Sequence, residues 1–312
     1  MPWKDRYTIS NERSIADRDV RWPNGLACSF TITVSLDPPC GPEGLTPADL
    51  KTPEAYYGMH GGLDALRAVL DKNGVRATVA VSAAVADIHP TILRSLAADG
   101  HEIAAHGYLR EDVSTLDIAD EREQLKRTTE CIGAAVGRRP LGWYSLARQG
   151  DKYAGGAISP NTMSLLIEDG YSYMGNSPAD DVPHYWVTDP AGPTAMLVMP
   201  YYYHFDDQFF LLFPAKGTGL EHADSLARNW RAEMDAQHRR GRSFTMVLHP
   251  YAIGWAHRLR LLDEFLGHVT ALPKVWNATA LECAEHWRTH YPPEQTLRLE
   301  PSIWSDYDDS LS

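Results

Sequence analysis

At 312 residues the chain is long enough to bury one large core, and a 44% hydrophobic, 22% charged composition is that of a globular protein. The formal net charge of −12, from 29 Lys+Arg against 41 Asp+Glu, leaves no basic footprint for nucleic acid or an anionic membrane surface. Cys28, Cys40, Cys131 and Cys283 form no Cys-x-x-Cys pair and read as reduced thiols, and with no signal-like or membrane-spanning apolar stretch a cytoplasmic protein is expected.

Residues 1–24 are polar and irregular and close on Arg21-Trp22-Pro23-Asn24-Gly25, a turn that launches a strand over 26–36. Within it Phe30, Ile32, Val34 and Leu36 alternate with Thr31, Thr33 and Ser35, the period of two that marks a strand. Asp37 stands at its carboxyl end, before Pro38-Pro39-Cys40-Gly41-Pro42, which cannot continue it. A loop to Gly62 carries Tyr56, Tyr57 and His60, and a helix on Leu63, Leu66, Val69 and Leu70 leads through Asn73-Gly74 to a strand over 77–81. His89-Pro90 opens the next helix, which Gly100 stops. Glu102 to Ala105 then read as a short buried strand that delivers His106 to a strand end, followed by Gly107-Tyr108-Leu109-Arg110-Glu111-Asp112. Strand ends are where α/β barrels keep their chemistry.

The spacing predicts a helix over 120–136 with a charged solvent face, a strand entry at Arg139-Pro140-Leu141-Gly142-Trp143-Tyr144, and a Gly-rich loop over 150–156. Ser159 as N-cap and Pro160 at the first helical position open a helix to Asp169. A strand over 171–174, a loop over 176–185 and a strand over 196–199 follow, and then the aromatic-acidic run Tyr201 to Asp207. A helix over 220–240 precedes Phe244 to Leu248, a buried strand ending at His249-Pro250. The chain finishes with a helix over 258–269, a last strand and helix over 275–287, and an acidic tail from Pro292. Strands alternating with helices predict an α/β fold on a largely parallel sheet, organised as an extension over 1–20, one domain over 21–291 and a tail over 292–312.

The residue types at these strand ends are those of a site. His106, His249 and Asp37 are candidate catalytic residues, and Arg110 either pairs with Glu111 or Asp112 or presents a fixed positive charge to a substrate oxygen. Tyr57, His60, Trp143, Arg148, Asp181, Tyr185 and Tyr201 are candidate substrate-binding residues or pocket walls, with core packing as the alternative for the aromatics. Asp180, Asp181, Asp206 and Asp207 equally suit the fixing of loop geometry, and His101 suits a hydrogen bond within the scaffold.

These motifs resemble, in order, those of the polysaccharide deacetylase (NodB-homology) superfamily over roughly 21–287. The Trp22-Pro23-Asn24-Gly25 entry, Arg139-Pro140-x-Gly142-Trp143, Ser159-Pro160-Asn161-Thr162, Asp180-Asp181-x-Pro183, Pro200-Tyr201 with Asp206-Asp207, and Leu248-His249-Pro250-Tyr251 are similar to the branch containing metal-independent allantoinase and cyclic imidase. The resemblance implies a distorted (β/α)7-type barrel. It also implies, at Thr33 to Asp37, a place for a general base and a zinc-ligand aspartate, where Ser35 replaces the base and Asp37 keeps the ligand position. The family's second zinc histidine, four residues after His106, is here Arg110, which has no lone pair for a metal. Asp37 and His106 remain as ligands should a single zinc or other divalent metal bind, but a catalytic zinc ordinarily takes three, so a metal-free site is expected. Ala80 and Ser82, where the family tends to carry Phe and Pro, imply an enlarged floor.

The leading expectation is a hydrolase of carbon–nitrogen bonds other than peptide bonds, acting on a small amide, ureide or cyclic imide. Asp37 would serve as general base or water orienter, Arg110 or His106 would hold the oxyanion, and His249 would donate the proton. The alternatives are a zinc-dependent N-deacetylase of an acetylated sugar or amine, and a repurposed non-hydrolytic or binding member. The partner expected is a small-molecule substrate. Family resemblance and the exposed aromatics Trp304 and Tyr307 of the tail point to a homo-oligomer.

Overall fold

The computed structural model describes residues 15–148, 158–189, 194–212 and 222–297. The Gly-rich loop over 150–156, most of the N-terminal extension, and the tail with Trp304 and Tyr307 lie outside the described residues.

Nine strands form one sheet: β1 Cys28–Ser35, β2 Thr78–Val81, β3 Glu102–Ala105, β4 Gly142–Trp143, β5 Tyr173–Ser177, β6 His184–Asp189, β7 Thr194–Pro200, β8 Ser243–Leu248 and β9 Val275–Asn277. The order is β6-β7-β5-β4-β3-β2-β1-β8, with β9 also pairing β1, and no ladder joins β6 to β8 among the described residues. Every pairing is parallel except β6 with β7. This is an α/β fold in which helices cover one face of the sheet and the other face wraps a single interior.

That division follows from the alternation along β1. Phe30, Ile32, Val34 and Leu36 pack among the helices with Phe244, Phe265 and Leu266, Phe30 stacking on Phe244 at 6.0 Å between ring centres. The intervening side chains face inward and are polar. Ser29 Oγ meets Ser243 Oγ at 2.7 Å, Thr31 Oγ1 meets Thr245 Oγ1 at 2.8 Å, and Thr33 donates to the Tyr144 hydroxyl at 3.1 Å. Around them Ala80, Ala104, Tyr144, Tyr173, Tyr185, Leu197, Met199, Tyr201 and Val247, contributed by β2 to β8 and the residues adjoining them, form one apolar cluster. Gly175 is required here, because a Cβ would collide with the Tyr144 ring.

Four local expectations are corrected. The stretch to Gly62 is helical over Pro53–Tyr57 and continues as one π turn over Gly58–Gly62; Thr52 caps it by accepting the Ala55 N–H, and Pro53 sits at the first position. An additional helix, Ala83–Ile88, is capped by Ser82. The helix expected from Ser159 begins at Thr162, since Ser159 Oγ accepts the N–H groups of Asn161 and Thr162 while donating to Glu121. The end of the supposed 176–185 loop is edge strand β6, whose antiparallel pairing breaks the parallel pattern.

Candidate active site

The carboxyl ends of β1, β3 and β8 bring Asp37, His106, Arg110 and His249 into a buried polar centre. Asp37 follows β1 and is fully buried. Its Oδ1 accepts from the Ser82 backbone N–H at 2.9 Å and the Ser82 hydroxyl at 2.6 Å, and its Oδ2 lies 2.8 Å from His106 Nδ1 and 3.9 Å from Arg110 Nε. Burial opposes the charged carboxylate, but the His106 hydrogen bond and the Arg110 cation hold Asp37 below the usual range.

His106 is locked at both nitrogens. The Leu146 backbone N–H donates to its Nε2 at 3.1 Å, so Nε2 carries the lone pair and Nδ1 the proton given to Asp37. Burial, then the charge of Arg110, pushes the imidazole down to about 4, and it is neutral at ordinary pH.

Arg110 stands in the left-handed region at φ 58, a conformation a bulky residue adopts only under constraint. Its guanidinium is buried, yet its contacts are long: Pro38 O at 3.5 Å, Leu146 O at 3.5 Å and Ala147 O at 3.4 Å, and Nε has no hydrogen-bond partner among the described residues. A buried cation with unused donors is suited to a substrate oxygen. The expected pairing of Arg110 with Glu111 or Asp112 is not made; Glu111 instead accepts the Leu109 N–H.

His249 follows β8. Its Nδ1 lies 2.7 Å from Asp207 Oδ1 and 3.6 Å from Asp206 Oδ1, its backbone N–H also donates to Asp207, and Nε2 is buried without a partner. Burial disfavours the imidazolium, but the two carboxylates outweigh it and raise His249. Asp206 accepts from the Tyr201 hydroxyl at 3.0 Å, and burial, followed by the charge of Asp207, pushes it up to about 6.

The other expected residues divide. Trp143, Arg148, His106 and Arg110 line one small cavity of about 40 Å³. Arg148 donates to Pro42 O at 3.0 Å and also to Arg110 O, bracing the arginine turn. Tyr185 and Tyr201 are interior packing, Tyr201 also holding Asp206. Tyr57 lies outside the centre, donating to Gly254 O at 2.8 Å and stacking on Trp255. His60 is exposed against Tyr56. Asp181 is committed elsewhere: with Asp17 and Asp180 it neutralises Arg240 and the buried Arg242, which stands immediately before β8, about 20 Å of strand from His249. Its carboxylate is a structural counter-ion there. Asp206 and Asp207, weighed from the sequence between loop geometry and the site, stand against His249, whereas the role of Ser82 as a donor to Asp37 was missed, its only sequence signal being a departure from the family's residue there.

The zinc site implied by the resemblance is not supported by this donor set. The Asp37 oxygens and His106 Nε2 are already accepting protein N–H or O–H groups, and position 110 supplies a cation where a ligand is required. Asp206, Asp207 and His249 place donor atoms within 4.8 Å of one another, close enough for a divalent ion; the same spacing suits a proton shared between His249 and its carboxylates.

Residues 57–173 match the model of the polysaccharide deacetylase family. A Mycobacterium smegmatis protein provisionally named a polysaccharide deacetylase superposes with a TM-score of 0.74 at 29% identity, covering 89% of this chain and 96% of that one. PuuE allantoinase superposes with a TM-score of 0.75 at 22% identity, covering 90% and 95%. A Pseudomonas aeruginosa PAO1 protein, also provisionally named a polysaccharide deacetylase, gives 0.73 at 24% identity, covering 87% and 94%. These solved folds are of the NodB-homology barrel kind expected from the motifs. No curated protein sequence matches the chain, and no helix among the described residues is long and apolar enough to cross a membrane.

Proposed function

We propose that the chain hydrolyses a carbon–nitrogen bond of a small amide, ureide or cyclic imide, with its own cation in place of a metal. The observation that carries this reading is Arg110: a buried guanidinium with an unpartnered Nε, at the position where the family's second metal histidine is expected. Arg110 binds the carbonyl oxygen and stabilises the charge that develops on it. His249, oriented by Asp207 through Nδ1, accepts a proton at Nε2 as the carbonyl is attacked and returns it to the departing nitrogen. Asp37, depressed and holding three close donors, orients His106 and counters Arg110 rather than acting as base.

The comparison with PuuE allantoinase, at 22% identity, is a likeness of fold and adds only that this architecture accommodates a ureide hydrolase. A homo-oligomeric, cytoplasmic enzyme is the setting we propose. The test is turnover of allantoin, succinimide and N-acetylglucosamine by chelator-treated protein, beside Arg110→Met and His249→Ala. Hydrolysis of a ureide or imide without metal, reduced about a hundredfold or more in each variant, is expected. Activity that appears only with added zinc, on the acetylated sugar, returns the chain to the deacetylase mechanism.

A further inference from the structure

The inward face of the β1–β8 ladder is a column of paired positions. Ser29 faces Ser243 and Thr31 faces Thr245, each pair bonded through its hydroxyls, and Thr33 faces Val247. The register continues to Val34 opposite Leu248, so the next inward rung is Ser35 beside His249. Paired positions on neighbouring strands lie about 5 Å apart. Both side chains at this rung are fully buried, and both carry an atom without a hydrogen-bond partner, Ser35 Oγ and His249 Nε2. Buried hydroxyls and imidazoles are normally satisfied by the fold, and the rungs below show the same ladder doing so. Two adjacent orphans, one a hydroxyl and one an imidazole fixed at its far nitrogen by Asp207 at 2.7 Å, have the composition of a nucleophile and its base. The unpartnered Arg110 Nε is a third orphan in the same centre.

We propose that Ser35 is a catalytic nucleophile, activated by His249 and Asp207, and that the reaction passes through an acyl-serine. This rests on the carbon–nitrogen hydrolase reading and specifies its chemistry. Ser35 Oγ attacks the carbonyl carbon as His249 Nε2 takes the hydroxyl proton, and the oxyanion forms beside Arg110. The carbon–nitrogen bond breaks, His249 delivers that proton to the nitrogen, and the acyl group remains on Ser35 as an ester. Water then attacks the ester, giving its proton to Nε2; the ester bond breaks, the acid leaves, and the proton returns to Ser35 Oγ. The sum is one amide and one water converted to one acid and one amine. The serine standing where the family places a general-base aspartate is then a change of mechanism rather than a loss of one.

The experiment treats the purified full chain with a biotinylated alkyl fluorophosphonate, maps the adduct by peptide mass, and measures turnover on allantoin and succinimide for wild type, Ser35→Ala and His249→Ala. The expected result is one adduct per chain on Ser35, absent from both variants, with turnover by Ser35→Ala reduced about a thousandfold at an unchanged Tm. Turnover by Ser35→Ala within tenfold of wild type overturns the nucleophile and leaves the hydrolase reading standing, as does an adduct on another residue of an active enzyme. A His249-dependent adduct on Ser35 in a protein inert toward both compounds sustains the nucleophile and removes the proposed substrate class. Neither adduct nor turnover overturns both.

Discussion

Arg110 Nε lies 3.9 Å from Asp37 Oδ2, with both side chains closed to solvent, so the cation is held beside the carboxylate without a hydrogen bond between them. The contact is electrostatic, and each charge is buried at the other's expense. Arg110→Met should therefore destabilise the protein by about 2–3 kcal/mol, and Asp37→Asn by a similar amount, while the double variant loses less than the sum. Urea unfolding of the four proteins reads the coupling. Strict additivity would mean that the two charges do not sense each other and that Arg110 is held only by the carbonyls of Pro38, Leu146 and Ala147.

A metal in this protein has one place among the described residues to go, Asp206, Asp207 and His249, and there the imidazole Nδ1 already meets Asp207 at 2.7 Å. With a proton at that position, dialysis against EDTA or phenanthroline leaves Tm within about 1 °C and hydrolysis unchanged. A structural ion would show itself as a fall of several degrees, restored by zinc.

The sequence makes the strand-end positions of Asp37, His106 and His249 legible because each follows a short apolar run that a proline or glycine turn terminates. What it conceals is the set of partners. Asp207 meets His249 across 42 residues, Ser82 meets Asp37 across 45, and Leu146 caps His106 across 40, distances that no local period encodes. Asp181 reads as a site residue from its motif, whereas a buried arginine 61 residues later claims it. The helix at Pro53–Tyr57 has a visible start in Thr52-Pro53, but the glycines at 58, 61 and 62 disguise its continuation, and β6 is hidden by Pro183 just before it.

Arg242 provides a test of that reassignment. Its buried side chain contacts Asp17 at 3.1 Å, Asp180 at 2.5 Å and also Asp181. Arg242→Met leaves these carboxylates without their central cation and should cost about 3 kcal/mol in stability. Turnover per folded molecule stays as in wild type, because the cluster is far along β8 from His249. A raised KM with unchanged Tm would instead place Asp181 against substrate.

His106 gives the stability a defined pH dependence. Its folded-state value of about 4 lies below the value near 6.5 of an unfolded histidine, so protons bind the unfolded chain in preference. The contribution is complete above pH 6.5 and is lost progressively as the pH falls toward 4, on the order of 3 kcal/mol in all. The lowered Asp37 adds a loss in the same direction at more acid pH. His106→Asn removes the imidazole while keeping a side-chain amide that can donate to Asp37. The free-energy difference between wild type and this variant, from urea unfolding at intervals between pH 8 and pH 4, should be constant down to about 6.5 and then shrink. A difference that instead grows as the pH falls from 8 to about 6.5 and then holds constant to pH 4 would show that His106 is already protonated in the folded protein. The Leu146 N–H could then not be donating to Nε2, and the argument that this nitrogen is closed to a metal would fall with it.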